Sequence, residues 1–96
     1  MIARLWRGSA ADAANADAYQ RHVTTQVLPA LRGIDGHRGA RVLRRDREFI
    51  VITFWESMDA IRRFAGADAE RAVVEPEAQA VLSEYDERVS HYEVVQ

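Results

Sequence analysis

Apolar positions change their spacing several times along the chain, and each change marks a predicted element. Ile2-Ala3-Arg4-Leu5-Trp6-Arg7 alternates loosely and stops at Gly8, which predicts a first strand. In the alanine-rich stretch that follows, Ser9, Asp12 and Asn15 each offer an oxygen for a helix N-cap. From there Tyr19, Val23, Val27, Ala30 and Leu31 form an apolar stripe at helical spacing, with Pro29 bending or ending the last turn. Gly33 and Gly36 bracket a connection, after which Gly39–Arg45 predicts a second strand and Asp46-Arg47-Glu48 a tight link. Phe49–Trp55 predicts a third strand, apolar on both faces. Ser57 caps a short helix Met58–Ala65 that Gly66 stops. Asp68–Val74 predicts another helical piece interrupted by Pro76, Glu77–Leu82 a further turn or two, and Val89–Val95 a closing strand.

The resulting order, β-α-β-β-α-β, predicts an α+β, ferredoxin-like fold with a four-stranded antiparallel sheet, a single domain over residues 1–96. Helices from its two crossovers cover one face of such a sheet. Phe49–Trp55 asks for cover on both, and the simplest supplier is a second copy of the chain. A homodimer with sheets face to face, a dimeric α+β barrel, is therefore expected.

Composition narrows the chemistry. Hydrophobic residues make up 48% of the chain, a third of them alanine, and charged residues 29%, a globular balance. Cysteine is absent, which excludes disulfides, thiolate metal sites and cysteine nucleophiles and fits a cytoplasmic location. All 13 basic residues are arginine, so Schiff-base chemistry has no lysine to use. No apolar run is long enough to span a membrane and no secretory signal opens the chain, so no membrane association is expected. Net charge is −2, but residues 1–47 carry nine arginines against four acids, and residues 48–96 four against eleven. Arg38, Arg41, Arg44, Arg45 and Arg47 lack interleaved aromatics and face an acidic half, which predicts a solvated strand pairing with acidic surface, with no nucleic acid as partner.

His22, His37 and His91 are too far apart for any metal-ligand spacing, so no metal is expected. His22 borders the apolar stripe at the rim of a possible pocket, His37 reads as a solvent-exposed loop residue, and His91 falls mid-strand with Val89 and Glu93 on its face. Each of His22 and His91 is a candidate base near neutral pH; the alternative for each is a hydrogen-bonded structural imidazole. Trp6 and Trp55 offer flat apolar walls with an N–H, or plain core filling, and Phe64 and Tyr19 extend the same wall. Glu75-Pro76-Glu77 reads as a helix start with acids at its positive end. No nucleophile elbow or phosphate-binding glycine loop is present, so hydrolase and nucleotide-enzyme readings are poor.

Three stretches together resemble one family: Arg4-Leu5-Trp6-Arg7-Gly8, Thr53-Phe54-Trp55-Glu56-Ser57-Met58-Asp59-Ala60-Ile61-Arg62-Arg63-Phe64-Ala65, and His91-Tyr92-Glu93-Val94. With Leu28-Pro29-Ala30-Leu31 and Gly36 to Ala40, they resemble the antibiotic biosynthesis monooxygenase (ABM) family of small dimeric α+β barrels. The resemblance implies a cofactor-independent monooxygenase acting on a small, apolar, hydroxylated aromatic or polyketide-like ligand. His91 or His22 would serve as base, with Trp6, Tyr19, Trp55 and Phe64 as walls and Arg4 or Arg7 holding the substrate anion. In such a site a water-free pocket deprotonates an electron-rich phenol, and the anion reduces oxygen directly. The alternatives are a non-catalytic dimeric binding protein and a haem-binding or haem-degrading protein. For haem, alignment on Phe54-Trp55-Glu56-Ser57 puts Phe64 at the branch's tryptophan and Val74 at its ligating histidine. The first strand carries Trp6 or Arg7 in place of its asparagine.

Overall fold

Parity along the strands decides which side chains meet the helices. In the computed structural model, which describes residues 1–96, β1 (Ile2–Ser9) lies antiparallel to β3 (Glu48–Trp55), which in turn pairs β2 (His37–Arg45). Ile2, Arg4, Trp6 and Gly8 stand opposite Trp55, Thr53, Val51 and Phe49, and partners across a ladder share a face. That face is covered by the helices. Phe49, Thr53 and Trp55 are buried on it, Trp55 completely. The other face carries Ala3, Leu5, Ile50, Ile52 and Phe54, with Leu43 and Tyr92 exposed at 49% and 57%. No element of the chain covers this second apolar face.

Helical structure begins at Asp12, whose carboxylate accepts from the Asn15 N–H, and runs through α1 (Ala13–His22). A five-residue π-helical turn, Val23–Val27, joins it to α2 (Leu28–Leu31). The turn has a physical cause. A stripe at Tyr19, Val23, Val27 and Leu31 steps by four, whereas an α-helix turns every 3.6 residues, so a regular helix would rotate the stripe off the sheet. One wider turn cancels that drift. Pro29 lacks the N–H for a regular bond, and the hydroxyls of Thr24 and Thr25 bond back to Gln20 and Arg21 carbonyls.

α3 (Met58–Ala65) has the predicted bounds, with Ser57 Oγ accepting from the Ala60 N–H and Gly66 beyond its end. Asp68–Val74, predicted helical, is not. Its backbone faces outward to partners: Arg71 bridges to Arg88, the Ala72 N–H donates to Glu87 O, and Val89 N–H donates to Glu70 O. The Ala69 and Arg71 carbonyls accept from the Arg4 guanidinium, so they cannot serve a helix. α4 (Pro76–Val81) follows, with Pro76 in the first turn, where its missing N–H is harmless.

The sheet has five strands instead of four. β4 (Glu84–Tyr85) pairs Gly8 and Ser9, while β5 (Ser90–Glu93) pairs Ile2–Leu5, so together they occupy the single edge position beside β1. The intervening residues turn away to join the 70–72 segment, which splits the strand. The α+β, ferredoxin-like order is as the periodicity implies. No helix is long and apolar enough to cross a membrane. Of the five arginines on and beyond β2, Arg38, Arg44 and Arg45 pair with Glu56, Asp17 and Glu48.

Candidate functional site

Two buried clusters fill the layer between sheet and helices, one around Tyr19, Val23 and Phe49, the other around Leu31, Trp55 and Ile61. A cavity of about 70 Å³ lies at their seam. Its lining is mostly apolar: Trp6 and Val51 from the sheet, Val89 just before β5, Tyr19, Val23, Val27 and Leu31 from the α1–α2 helical stretch, Phe64 from α3, and Val73, Val74 and Ala78. Four polar residues join them: Arg4, Thr53, His22 and Glu75. Open space of this size holds about two waters, while pockets for drug-sized ligands run to roughly 300 Å³ or more. A flat ligand enters only if part of the lining moves.

At one end α1 presents Tyr19, His22 and Val23, spaced i, i+3, i+4 and therefore on one helix face. His22 Nε2 lies 2.8 Å from Glu75 Oε2, with the histidine side chain 13% exposed and the carboxylate 40%. An imidazole that donates from Nε2 to a carboxylate keeps Nδ1 as its basic nitrogen. The Tyr19 ring is tilted against those of Trp6 and His22, with centroids 5.9 Å and 6.5 Å away. Burial, aided by the Glu75 charge, pushes the Tyr19 phenol above its ordinary value, so it stays protonated. Trp6 is fixed by its Nε1–H, which donates to Asp86 O at 3.0 Å.

At the other end stands Arg4, 5% exposed. Its Nη1 donates to Ala69 O at 2.5 Å and to His91 Nε2 at 3.0 Å, and Nη2 donates to Arg71 O at 2.8 Å. The guanidinium carbon lies 5.8 Å from the Phe64 ring centroid. Burial lowers the Arg4 pKa to about 10, which leaves it charged at neutral pH.

The expected site residues do not all converge. Tyr19, His22, Trp6 and Phe64 line the cavity together. Arg7 does not: one residue out of phase with Trp6, it lies on the uncovered face, and the cation in the cavity is Arg4. Trp55 sits behind the wall, stacked on Phe64 at 5.1 Å, its Nε1–H donating to Thr53 Oγ1. It is core. His91 shares the helix-facing side but meets Arg4 instead of the cavity. Because guanidinium only donates, His91 Nε2 must accept, and burial and the neighbouring Arg4 charge both lower its pKa. His37, expected in solvent, is half-buried edge-on against Trp55 at 5.1 Å, because the β2 ladder begins at this residue, and burial lowers its pKa too. Glu75 and Arg4 are the contributors that spacing under-reads. Glu75 looks like an ordinary helix start, and Arg4 like one of thirteen arginines.

No three of the chain's histidines and carboxylates come together as a metal site. Haem does not fit these residues. The cavity is far too small for a macrocycle, Val74 stands on its wall, and the Nε2 atoms of His22 and His91 are already engaged by Glu75 and Arg4.

An antiparallel sheet in ferredoxin-like order, helices on one face and a cavity between the layers define the class of the protein. Residues 8–76 match the family described as antibiotic biosynthesis monooxygenase, and the chain belongs to that family. Its backbone is similar to that of SnoaB, a cofactor-independent oxygenase from Streptomyces nogalater (TM-score 0.64, 18% identity, covering 99% of this chain and 93% of that one). It is also similar to the haem degrader MhuD from Mycobacterium tuberculosis with two haems in its active site (0.67, 17%, 100% and 97%). A third likeness is to the ActVA-Orf6 monooxygenase of Streptomyces coelicolor in complex with nanaomycin D (0.58, 20%, 70% and 62%). No curated protein matches the chain. At these identities the likenesses establish the fold.

Proposed function

We propose that this chain is a cofactor-independent monooxygenase that oxidises a small hydroxylated aromatic, of the polyketide kind, between its sheet and helices. It would act as a single 96-residue domain, in a cytoplasmic homodimer that buries the uncovered sheet face. The observation that carries the reading is the His22–Glu75 pair at the edge of a mostly apolar cavity. Held by Glu75, His22 takes the phenolic proton of the substrate at Nδ1. Low dielectric around the Trp6, Tyr19 and Phe64 walls raises the reducing power of the resulting phenolate. The phenolate passes electrons to dioxygen. One oxygen atom joins the ring carbon para to the hydroxyl, and the other leaves as water with the two hydrogens lost from the ring carbon and the hydroxyl. His91 keeps a supporting part here, since it engages Arg4 and not the cavity.

The test is oxygen uptake with 1-naphthol, which consumes one dioxygen and yields 1,4-naphthoquinone and one water. His22→Ala should lower the rate by on the order of a hundredfold, the usual share of a positioned base. A second reading, a passive binder of the same ligand, draws on the smallness of the cavity. It predicts binding of 1-naphthol with no uptake above the protein-free rate.

A further inference from the structure

A buried charge without a counter-charge is uncommon, because desolvation of an ion is costly unless something compensates it. Arg4 is such a charge. It is 5% exposed, its partners are two backbone carbonyls and a histidine nitrogen, and no carboxylate pairs with it. Of the acids nearby, Glu70 is occupied by Arg88 at 3.2 Å and Glu75 by His22 at 2.8 Å. A guanidinium has five N–H donors, and three of these are spent. What remains is the Nε–H and the second hydrogen of Nη2, adjacent donors on one edge of a planar group. Two parallel donors on one edge match the two oxygens of a carboxylate.

The other three donors fix the orientation of that edge. Nη1 is tied to Ala69 O and His91 Nε2, Nη2 to Arg71 O, and the ring of Phe64 flanks the guanidinium. Arg4 is thus held from three sides while it lines the cavity. The sheet ladder sets the spacing of Arg4 and Trp6 along the strand. Trp6, which touches Tyr19 at 5.9 Å, follows Arg4 on the same face two residues on, about 6.8 Å along the strand. One fused aromatic ring system spans that distance.

We infer that Arg4 is an anion-binding residue of the ligand site, and that the ligand is a hydroxylated aromatic bearing an ionised carboxylate at the end remote from the hydroxyl presented to His22 and Glu75. The inference rests on the proposed reading of the cavity as the ligand site and adds the charge of its occupant. The carboxylate supplies the missing counter-charge, using donors that the 69–71 segment does not need. Uncharged phenols of the same shape forgo it.

The experiment compares 5-hydroxy-1-naphthoate with its methyl ester on the full-length protein, without oxygen, by titration calorimetry near neutral pH. The two probes share ring and hydroxyl, so their ratio isolates the charge. The acid should bind at least about tenfold more tightly than the ester, as charge-assisted bonds to a buried guanidinium require. Arg4→Lys keeps the charge and loses the planar fork, and should reduce that preference severalfold. Because the comparison uses the unaltered protein, it decides the matter even if the variant does not fold. Equal affinity for acid and ester, or no binding of either, overturns the inference. Oxygen uptake is then measured separately. Preference for the acid with no uptake removes the monooxygenase reading and leaves the anion site standing; equal binding with uptake does the reverse.

Discussion

Gly36→Ala tests how α3 is seated, and with it the placement of Phe64 on the cavity wall. Gly36 has φ +88°, and a Cβ built there would lie 2.5 Å from the Cβ of Ala60, the first fully buried residue of α3. Its carbonyl also accepts from the Glu56 N–H at 2.8 Å, so the backbone has little freedom to withdraw. Two separable penalties follow: about 1–2 kcal/mol for an L-residue at positive φ and about 1–3 kcal/mol for overpacking against a rigid neighbour. Together they amount to roughly 2–5 kcal/mol, a large part of the stability of a small domain. At about 4–8 °C per kcal/mol, the melting midpoint should fall by at least about 8 °C, read by far-ultraviolet circular dichroism. Ala60→Gly removes the atom that is struck. In that background the clash vanishes and only backbone strain is left, so the double-mutant cycle should show a coupling of about 1–3 kcal/mol. Ala60→Gly alone costs about 1 kcal/mol through helix propensity, which the cycle cancels. A Gly36→Ala midpoint within about 2 °C of the parent, or a cycle additive to about 0.5 kcal/mol, would refute the packing argument.

Other consequences are equally direct. Glu75→Gln removes the charge that orients His22, and should lower 1-naphthol oxidation by about tenfold while leaving ligand affinity within a few fold; an unchanged rate would remove Glu75 from the base. Burial holds His37 and His91 below the ordinary 6.5. The unfolded chain therefore binds the extra protons first, so stability is complete above pH 6.5 and declines as pH falls through 6.5 toward the folded-state values. Urea midpoints should be lower at about pH 5.5 than at about pH 7.5, with the gap narrowed by His91→Gln; equal midpoints would contradict the burial account. Haemin should give no saturable Soret shift at this site, since the cavity is too small for a macrocycle and the Nε2 atoms of His22 and His91 are engaged by Glu75 and Arg4; a 1:1 shift that bleaches with ascorbate would place the protein among haem degraders. Light scattering at micromolar concentration should give twice 10.9 kDa, and Ile52→Asp on the uncovered face should give the single mass.

The fold was legible because its signals are local and redundant. Ser57 with Asp59 and Gly66 bounds α3 to the residue, and an apolar run interrupted only by Thr53 names β3 whatever its neighbours do. The errors occur where a distant partner outbids local preference. Asp68–Val74 has helical propensity, yet its carbonyls are claimed by Arg4, more than sixty residues away, and its amides and carbonyls by the 87–89 segment. The same exchange splits the last strand into β4 and β5. The π-helical turn did leave a trace: a stripe spaced four, four and four, two adjacent threonines and a proline are a mismatch with 3.6 that only a wider turn resolves.

The site was legible in its types of residue and not in their pairing. Helical spacing alone places Tyr19 and His22 beside the stripe, and parity alone would have separated Arg4 from Arg7 once the buried face of β1 was known. No spacing rule joins His22 to Glu75, 53 residues on, or Arg4 to His91, 87 residues on. Those two contacts divide the roles. One histidine lines the cavity and donates from Nε2 to a carboxylate, which leaves Nδ1 as its acceptor nitrogen; the other accepts from a guanidinium, and protonating it would set two cations against each other. A sequence that offers two equivalent imidazoles thus folds into one candidate base and one brace, and it is the neighbour of each ring, not the ring itself, that makes the difference.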